Sequence, residues 1–451
     1  MSHDLHVWAG EHRVARIEHD AKDDRWSMAY DSAWSSNPQA FPLSPALPFE
    51  SPAGGHASAS LKRFIEHLLP EGRALDVAVN YNGLTKSNVF GLIRALGSET
   101  AGALRFTANA DGAVSMEDTP PREIPLQELD QRIAQREVVP LTVWDGQVRM
   151  SVAGLQDKLL VYIDGSPEAG GKLFLVHGHR LASTHILKPD TGKAQTPHLA
   201  VNEHFCMSLA RRMGLPAAEV HLLRSPRPVL VVTRFDREVH VVEGTPEVRR
   251  HHIIDACQAC DMPVSFKYER NLGSGPQVKD IREGVSFERL FGCVALTGSK
   301  AATRRAMLQW ALFQFLIGNT DAHGKNFSFH VQPGGLLRPT NWYDLVSVLQ
   351  YTGLDTELAM AYGDVFVHGD LSAFALADFA TRCGIDRKLM RREGLRLAKL
   401  ASIHATAQAD APVYEATERP FIAQLATFVA AQSDRLAKLV VDAATIPANL
   451  L

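Results

Sequence analysis

The run Asp321-Ala322-His323-Gly324-Lys325-Asn326, followed after one hairpin by Tyr343-Asp344, has residue types and spacing that suit phosphoryl transfer. That reaction needs little covalent help from a protein. It needs a group to orient or deprotonate the attacking hydroxyl and oxygen ligands to hold a metal against the phosphates. An Asp, an Asn five positions later and a further Asp after a hairpin supply these. Asp321 would be the base, and the amide oxygen of Asn326 and the carboxylate of Asp344 would hold a hard cation such as Mg²⁺. A polar loop that only caps a buried helix has similar composition. The order argues for chemistry: an apolar helix, the loop, a hairpin, then the second Asp on the return strand.

Three further segments fit the same reaction. Lys188, late on the apolar strand of THILKPD, can reach phosphates as a point charge, although a strand-end lysine can equally extend to water. Ser151-Val152-Ala153-Gly154-Leu155-Gln156-Asp157-Lys158 is a turn of small residues whose backbone N–H groups could approach phosphate oxygens, with Lys158 adding charge. Its single glycine makes it a weak phosphate loop on its own. Thr233-Arg234-Phe235, after the strand PVLVV, has the place of a hinge that meets an adenine edge. Glu203, in the helix after Lys188, reads as a first-turn acid favoured by the helix dipole, with a pairing to Lys188 as the alternative.

Two segments imitate other sites. Gly292 to Lys300 resembles a Walker loop, but its spacing is one residue too long and Ser precedes Lys. Cys257-Gln-Ala-Cys260 suggests zinc but lacks a second spaced pair of ligands, so buried or inert cysteines are expected. The five cysteines are few, odd in number and scattered, which speaks against a disulfide framework and for a reducing cytoplasm. The formal net charge of -3 excludes a chain that binds nucleic acid by overall charge. The N-terminus has no signal-peptide apolar core, and the run MLQWALFQFLIG is too short to span a bilayer, so no membrane partner is expected.

These residues need a scaffold. Residues 1–145 alternate as strands (DLHVWAGEHRVARIEHD, RWSMAY, GALRFTA) with helices at ASLKRFIEHLLP, NVFGLIRALG and PLQELDQRIAQRE, and look like a docking region without catalytic residues. Residues 146–237 are strands carrying one helix, VNEHFCMSLARRMGLP, the order of an ATP-binding small lobe. Residues 238–451 are mainly helical, with TRRAMLQWALFQFLIG leading into NTDAHGKN. The implied class is α+β: a bilobal, protein-kinase-like fold with a β-rich N-terminal region and a mainly α-helical C-terminal lobe.

SVAGLQDKL, THILKP, VNEHFC with ARRMGLP, VTRFDR, DACQ with KYE, IGNTDAHGKNFS and YDLVS, in this order, resemble the HipA family of serine/threonine kinases, the toxins of HipA–HipB toxin–antitoxin pairs. The likeness covers most of 145–350 with specific motifs and extends loosely to the N-terminal region through FPLSPALPF and HLLPEG. It implies Asp321 as catalytic base, Ala153 to Lys158 as the ATP-binding loop and Lys188 as the phosphate-binding lysine. It implies Thr233, Arg234 and Phe235 as the adenine hinge, and His323, Gly324, Lys325, Asn326, Tyr343 and Asp344 as the remaining ATP and Mg²⁺ contacts. Ser151 matches the serine that such kinases autophosphorylate, which would switch the enzyme off. Gln258 matches a family position to which no role is given.

The resemblance further implies a protein substrate such as an aminoacyl-tRNA synthetase, whose phosphorylation inhibits translation and promotes dormancy, and a small HipB-like helix-turn-helix antitoxin as partner. Leu155 and Asp157 stand where the best-known member has Ala and Glu, and Thr233 where it has an acid. LAMAYGDVFVHGD holds no Lys or Arg where that member has a basic DNA-contacting stretch, so DNA would be met only through the antitoxin. The other readings are a small-molecule, aminoglycoside-type phosphotransferase, which shares the Asp–Asn–Asp logic, and a non-catalytic corepressor.

Overall fold

A computed structural model describes residues 2–110, 120–149, 156–176 and 180–451. By its internal contacts the chain divides into two compact units, each assembled from separated stretches. One comprises Met1–Pro189, Leu223–Ile254 and His330–Leu337; the other comprises Asp190–Leu222, Asp255–Phe329 and Arg338–Leu451.

The first unit opens with an antiparallel sheet in the order Arg25–Tyr30, His12–Asp20, Ser2–Ala9, Leu104–Thr107. Alternation drives it: Leu5, Val7, Val14 and Ile17 are fully buried. The helices Ser58–Glu66 and Val89–Leu96 bury Leu61, Phe64, Leu92 and Ile93, the second being capped where the Asn88 side chain accepts from Gly91 N at 2.8 Å.

A second sheet runs Val220–Ser225, Arg227–Thr233, His185–Pro189, Leu159–Asp164, Lys172–Leu175, Arg122–Ile124. Leu159, Val161, Ile163, Leu187, Val229 and Val231 share one core with Leu129, Ile133 and Trp144. Successive strand residues point to opposite faces, so Lys188 lies on the face away from that core, as does Lys158. The register pairs Ile186 with Leu160 and Leu187 with Leu159; continued by one residue, it sets Lys188 opposite Lys158.

The second unit is mainly helical. Its central helix, Lys300–Ile317, buries Met307, Leu308, Trp310 and nearly every following side chain. It stops where the sequence predicts, at Gly318, whose φ of +63° is a left-handed C-cap. A Cβ there would stand 2.7 Å from the Phe428 ring, so glycine is required twice over. The long helices Arg387–Ala409, capped by Asp386, and Arg419–Ala443 pack on each other and on the central helix. The mixed α+β class agrees with expectation. Among the described residues no helix is long and apolar enough to cross a membrane.

Two sequence expectations change. Glu203 is not a first-turn acid: the helix is Leu199–Arg212, and Glu203 lies in its second turn, 1% exposed. Asp344 is not on a return strand. The strands of the hairpin are Ser328–Val331 and Leu337–Pro339, and Asp344 follows in a loop at φ +58°, a conformation that Asp tolerates better than most residues.

Candidate active site

The site in the second unit is built from the end of the central helix. Beyond Gly318, the Asn319 side chain holds three segments together. Its Nδ2 donates to Gln314 Oε1 at 2.9 Å and to the Asp344 carbonyl at 3.5 Å, and its Oδ1 accepts from Asp321 N at 3.1 Å. The Asp321 carbonyl accepts from Asn326 Nδ2 at 3.0 Å and from His323 N at 2.9 Å. The backbone of Asp321 is thereby pinned on both sides while its side chain is exposed. Asn319 thus links the backbones of Asp321 and Asp344, and Asn326 joins them through the Asp321 carbonyl.

The Asp321 carboxylate is also oriented. Tyr268 Oη donates to its Oδ1 at 2.7 Å, and among the described residues nothing hydrogen-bonds Oδ2. Tyr268 is held by its neighbours. Glu269 N donates to Ala359 O at 2.9 Å, and Ala359 N donates to Thr320 O at 2.8 Å. One residue of the strand Glu357–Tyr362 therefore docks the chain beside Tyr268 and the chain beside Asp321. The Tyr268 ring meets His323 edge-on at 5.0 Å.

Residues Gly324–Asn326 form a single 3-10 turn, with His323 Nδ1 accepting from Lys325 N at 3.2 Å as its cap. Gly324 N donates to Lys267 O, and a Cβ at this position would lie 2.8 Å from Val285 Cβ and 2.9 Å from Cys257 Sγ. Lys325 Nζ stands 3.5 Å from Asp255 Oδ2, both groups largely buried. Asp255 also caps the helix Ala256–Ala259 in a reciprocal box with Gln258. The Tyr343 hydroxyl bonds both the Lys325 carbonyl and Ser328 Oγ at 2.6 Å. Its burial pushes the phenol well above its ordinary range, so it stays protonated. His323, Lys325 and Tyr343 thus use their side chains to build the loop, whereas Asn326 Oδ1 and the Asp344 carboxylate are hard oxygen donors of the kind Mg²⁺ takes.

In the first unit, Lys158 and Lys188 are both buried and share one sheet face. Gln156 Nε2 donates to the Pro189 carbonyl at 3.4 Å, closing the end of that strand pair; Asp157 is half-buried beside it. Ser151, Ala153, Gly154 and Leu155 lie outside the described residues. Thr233 pairs with His185 at the strand end, and the half-buried Phe235 contacts the His330 ring at 6.2 Å. The Arg234 guanidinium is committed to the interior, bonded to Asp236, Ser183 Oγ and the Thr100 carbonyl. Burial opposes ionisation of Asp236, but Arg234 and Arg237 overcome it and hold the carboxyl well below its ordinary range. Asp236 also accepts from Gly102 N, so this charge cluster ties the first β-sheet region to the end of the strand Arg227–Thr233.

Sequence reasoning assigned no role to Asn319, Tyr268 or Asp255. All three stood inside segments it quoted, IGNTD, KYE and DACQ. Their roles depend on contacts across tens of residues that no local spacing reports.

Residues 5–107 match the model of the HipA N-terminal domain, and residues 150–409 match that of the HipA-like C-terminal domain. The chain belongs to the HipA family. A Shewanella oneidensis relative, named serine/threonine-protein kinase toxin HipA, is 39% identical over 96% of this chain and 95% of its own length. Y4mE of Sinorhizobium fredii, also named as a kinase, is 32% identical over 93% of each chain. A solved Shewanella oneidensis MR-1 structure, described as the toxin–antitoxin system HipA, HipB and its operator DNA complex, matches with TM-score 0.87. It is 37% identical and covers 98% of this chain and 100% of that one. Membership carries the activity: this is a HipA-type serine/threonine-protein kinase, and as a kinase it uses ATP.

Proposed function

We propose that this HipA-family chain is the kinase toxin of a toxin–antitoxin pair and transfers the γ-phosphoryl group of Mg-ATP to a protein serine, with Asp321 as the base. The observation that carries this reading is the Asn319 clasp, which ties the Asp321 N–H and the Asp344 carbonyl to one side chain while Asn326 bonds the Asp321 carbonyl. Tyr268 occupies Oδ1 of Asp321, and Oδ2 receives the proton of the attacking hydroxyl. Asn326 and Asp344 would hold Mg²⁺, which neutralises charge on the phosphates when bound. Lys158 and Lys188 set two positive charges on one sheet face for the phosphates, and Ala153 to Lys158 serve as the ATP-binding loop. Thr233, Arg234 and Phe235 form the adenine hinge, where the Arg234 side chain braces the strand end from within.

His323, Gly324, Lys325 and Tyr343 shape the catalytic loop. Phosphorylation of Ser151 would add about two negative charges beside the ATP phosphates and switch the enzyme off. The residue blocks 1–145, 146–237 and 238–451 then serve as docking region, ATP-binding region and catalytic lobe. A HipB-like helix-turn-helix antitoxin is the expected partner, with DNA reached only through it. A protein such as an aminoacyl-tRNA synthetase is the expected substrate. The five free cysteines suit a reducing compartment such as the cytoplasm.

The test is transfer from labelled ATP by the full chain, comparing the native protein with Asp321→Ala and Ser151→Ala. Self-labelling should vanish in the first and drop sharply in the second. Label retained by Asp321→Ala removes the mechanism.

A further inference from the structure

Among the described residues no group of three or more metal-ligating side chains gathers at the Cys257–Cys260 motif, yet one of its sulfurs has a partner that the sequence did not suggest. Cys260 Sγ lies 3.5 Å from Cys293 Sγ, thirty-three residues on. Both sulfurs also face the Arg289 carbonyl, at 3.7 Å and 3.8 Å. Cys260 is partly exposed at the end of the helix Ala256–Ala259, whereas Cys293 is buried where the helix Phe287–Gly292 passes into a 3-10 turn. The other three cysteines, Cys206, Cys257 and Cys383, are buried.

A disulfide needs the sulfurs to approach to about 2 Å, so the pair must close by roughly 1.5 Å. Each thiol ends a short turn rather than the middle of a long helix, and there such a shift is accommodated most readily. Their electronic roles differ. The hydrogen bond from Cys293 holds the Cys260 thiol below its ordinary value, with Arg289 acting in the same direction against burial. Cys293 is pushed upward by the same hydrogen bond and by its burial. Cys260 is therefore the accessible sulfur and the more acidic of the two, and Cys293 the protected sulfur that resolves it.

We infer that Cys260 and Cys293 form a peroxide-responsive disulfide site in this kinase. The Cys260 thiolate attacks one oxygen of a hydroperoxide, the O–O bond breaks, and the departing oxygen leaves as water or alcohol after taking a proton. Cys260 is now a sulfenic acid. The sulfur of Cys293 attacks it, the S–S bond forms, and the sulfenic oxygen leaves as water with the Cys293 proton. Two thiols are oxidised, one peroxide is reduced, and a small dithiol reverses the change.

The site has a route to the catalytic loop. The four-residue helix Ala256–Ala259, closed by Cys260, is capped at its start by Asp255, which pairs with Lys325. Cys257, in the same turn, presses on Gly324 so closely that a Cβ there would meet its sulfur at 2.9 Å. A bond that draws Cys260 toward Cys293 pulls on the turn that supports Gly324 and Lys325, and displacements on the 1 Å scale at a catalytic loop slow turnover strongly.

The experiment titrates the reduced full-length kinase with hydrogen peroxide, alkylates the remaining thiols and maps peptides by mass spectrometry. Expected are a Cys260–Cys293 crosslink with Cys206, Cys257 and Cys383 still alkylated, and self-phosphorylation that falls about tenfold and returns with dithiothreitol. Cys293→Ser should match the native rate when reduced, keep its rate in peroxide and accumulate a dione-trappable sulfenic acid at Cys260. Cys260→Ser, at the more exposed position, should show neither crosslink nor sulfenic acid. Cys260 stopping at sulfinic acid in the native chain, or crosslinking elsewhere, overturns the site. A crosslinked kinase that keeps its full rate overturns the link to the catalytic loop. Both results are separable from a failure of the Asp321 mechanism, which is read on the reduced enzyme.

Discussion

Tyr268 donates a 2.7 Å hydrogen bond to Oδ1 of Asp321, and the two residues are fifty-three positions apart. A phenol on one oxygen fixes the rotamer of the carboxylate and aims the other oxygen outward. Tyr268→Phe keeps the ring against His323 and removes the hydroxyl that makes that bond. The expected result is a kcat lowered about tenfold with the ATP KM and the thermal midpoint unchanged. On an Asp321→Ala background the same change should have no further effect, because Tyr268 acts through Asp321. Steady-state kinetics of both variants checks this. A higher rate for Tyr268→Phe would mean instead that the phenol blocks the acceptor position.

Lys158 and Lys188 face the same side of the sheet, one residue beyond Leu159 and Leu187, the last position at which those two strands pair with each other. Placing like charges opposite one another is unfavourable, and an anion between them offsets the cost. Lys188→Ala and Lys158→Ala should each weaken Mg-ATP binding about tenfold or more by calorimetry. The double variant should lose the ATP-induced rise in melting temperature altogether. Retained affinity in the double variant would assign the phosphates elsewhere.

The extent to which sequence foretold this site follows the range of the interactions. The helix ending at Gly318, the Asp321–Asn326 spacing and the strand carrying Lys188 are local features, set by periodicity and by a glycine with positive φ. Each of them was therefore readable in advance. Asn319, Tyr268 and Asp255 act through side chains that reach distant segments. An Asn before an Asp, or a Tyr between Lys and Glu, has no spacing signature. Glu203 shows the converse error: a charge near a helix start suggested a dipole contact, but tertiary packing buries that face of the helix.

Asp255 carries two loads, the cap of the helix Ala256–Ala259 and the charge beside Lys325. Asp255→Ala removes both and should lower unfolding stability by about 2–4 kcal/mol, since losing one partner of a buried ion pair is costly and a lost cap adds to it. Asp255→Asn retains an N-cap oxygen and removes only the carboxylate charge, so it should recover roughly 1 kcal/mol of that loss. Urea unfolding of the two variants beside the native chain measures both differences. Equal losses would mean that the cap contributes nothing.

Burial drives His252 down to about 4: its ring stacks on Phe41 at 4.7 Å away from water and His330 acts in the same direction, while the 2.8 Å bond to the Leu43 carbonyl opposes the shift. The unfolded chain takes up this proton near pH 6.5 and the folded chain only near 4. Between those values the unfolded state binds more protons, so stability falls as the pH is lowered from about 6.5 to 4 and is fully present above. The gap corresponds to about 3 kcal/mol by linkage. His252→Gln should flatten that part of the stability–pH curve, with a lower plateau at neutral pH from the lost stacking. Chemical unfolding at pH 7, 6, 5 and 4 makes the comparison. An equally steep decline in the variant would place the acid sensitivity in other groups, among them Glu99, whose carboxyl, against its burial, is held below its ordinary value by Arg250, Arg237 and Arg234.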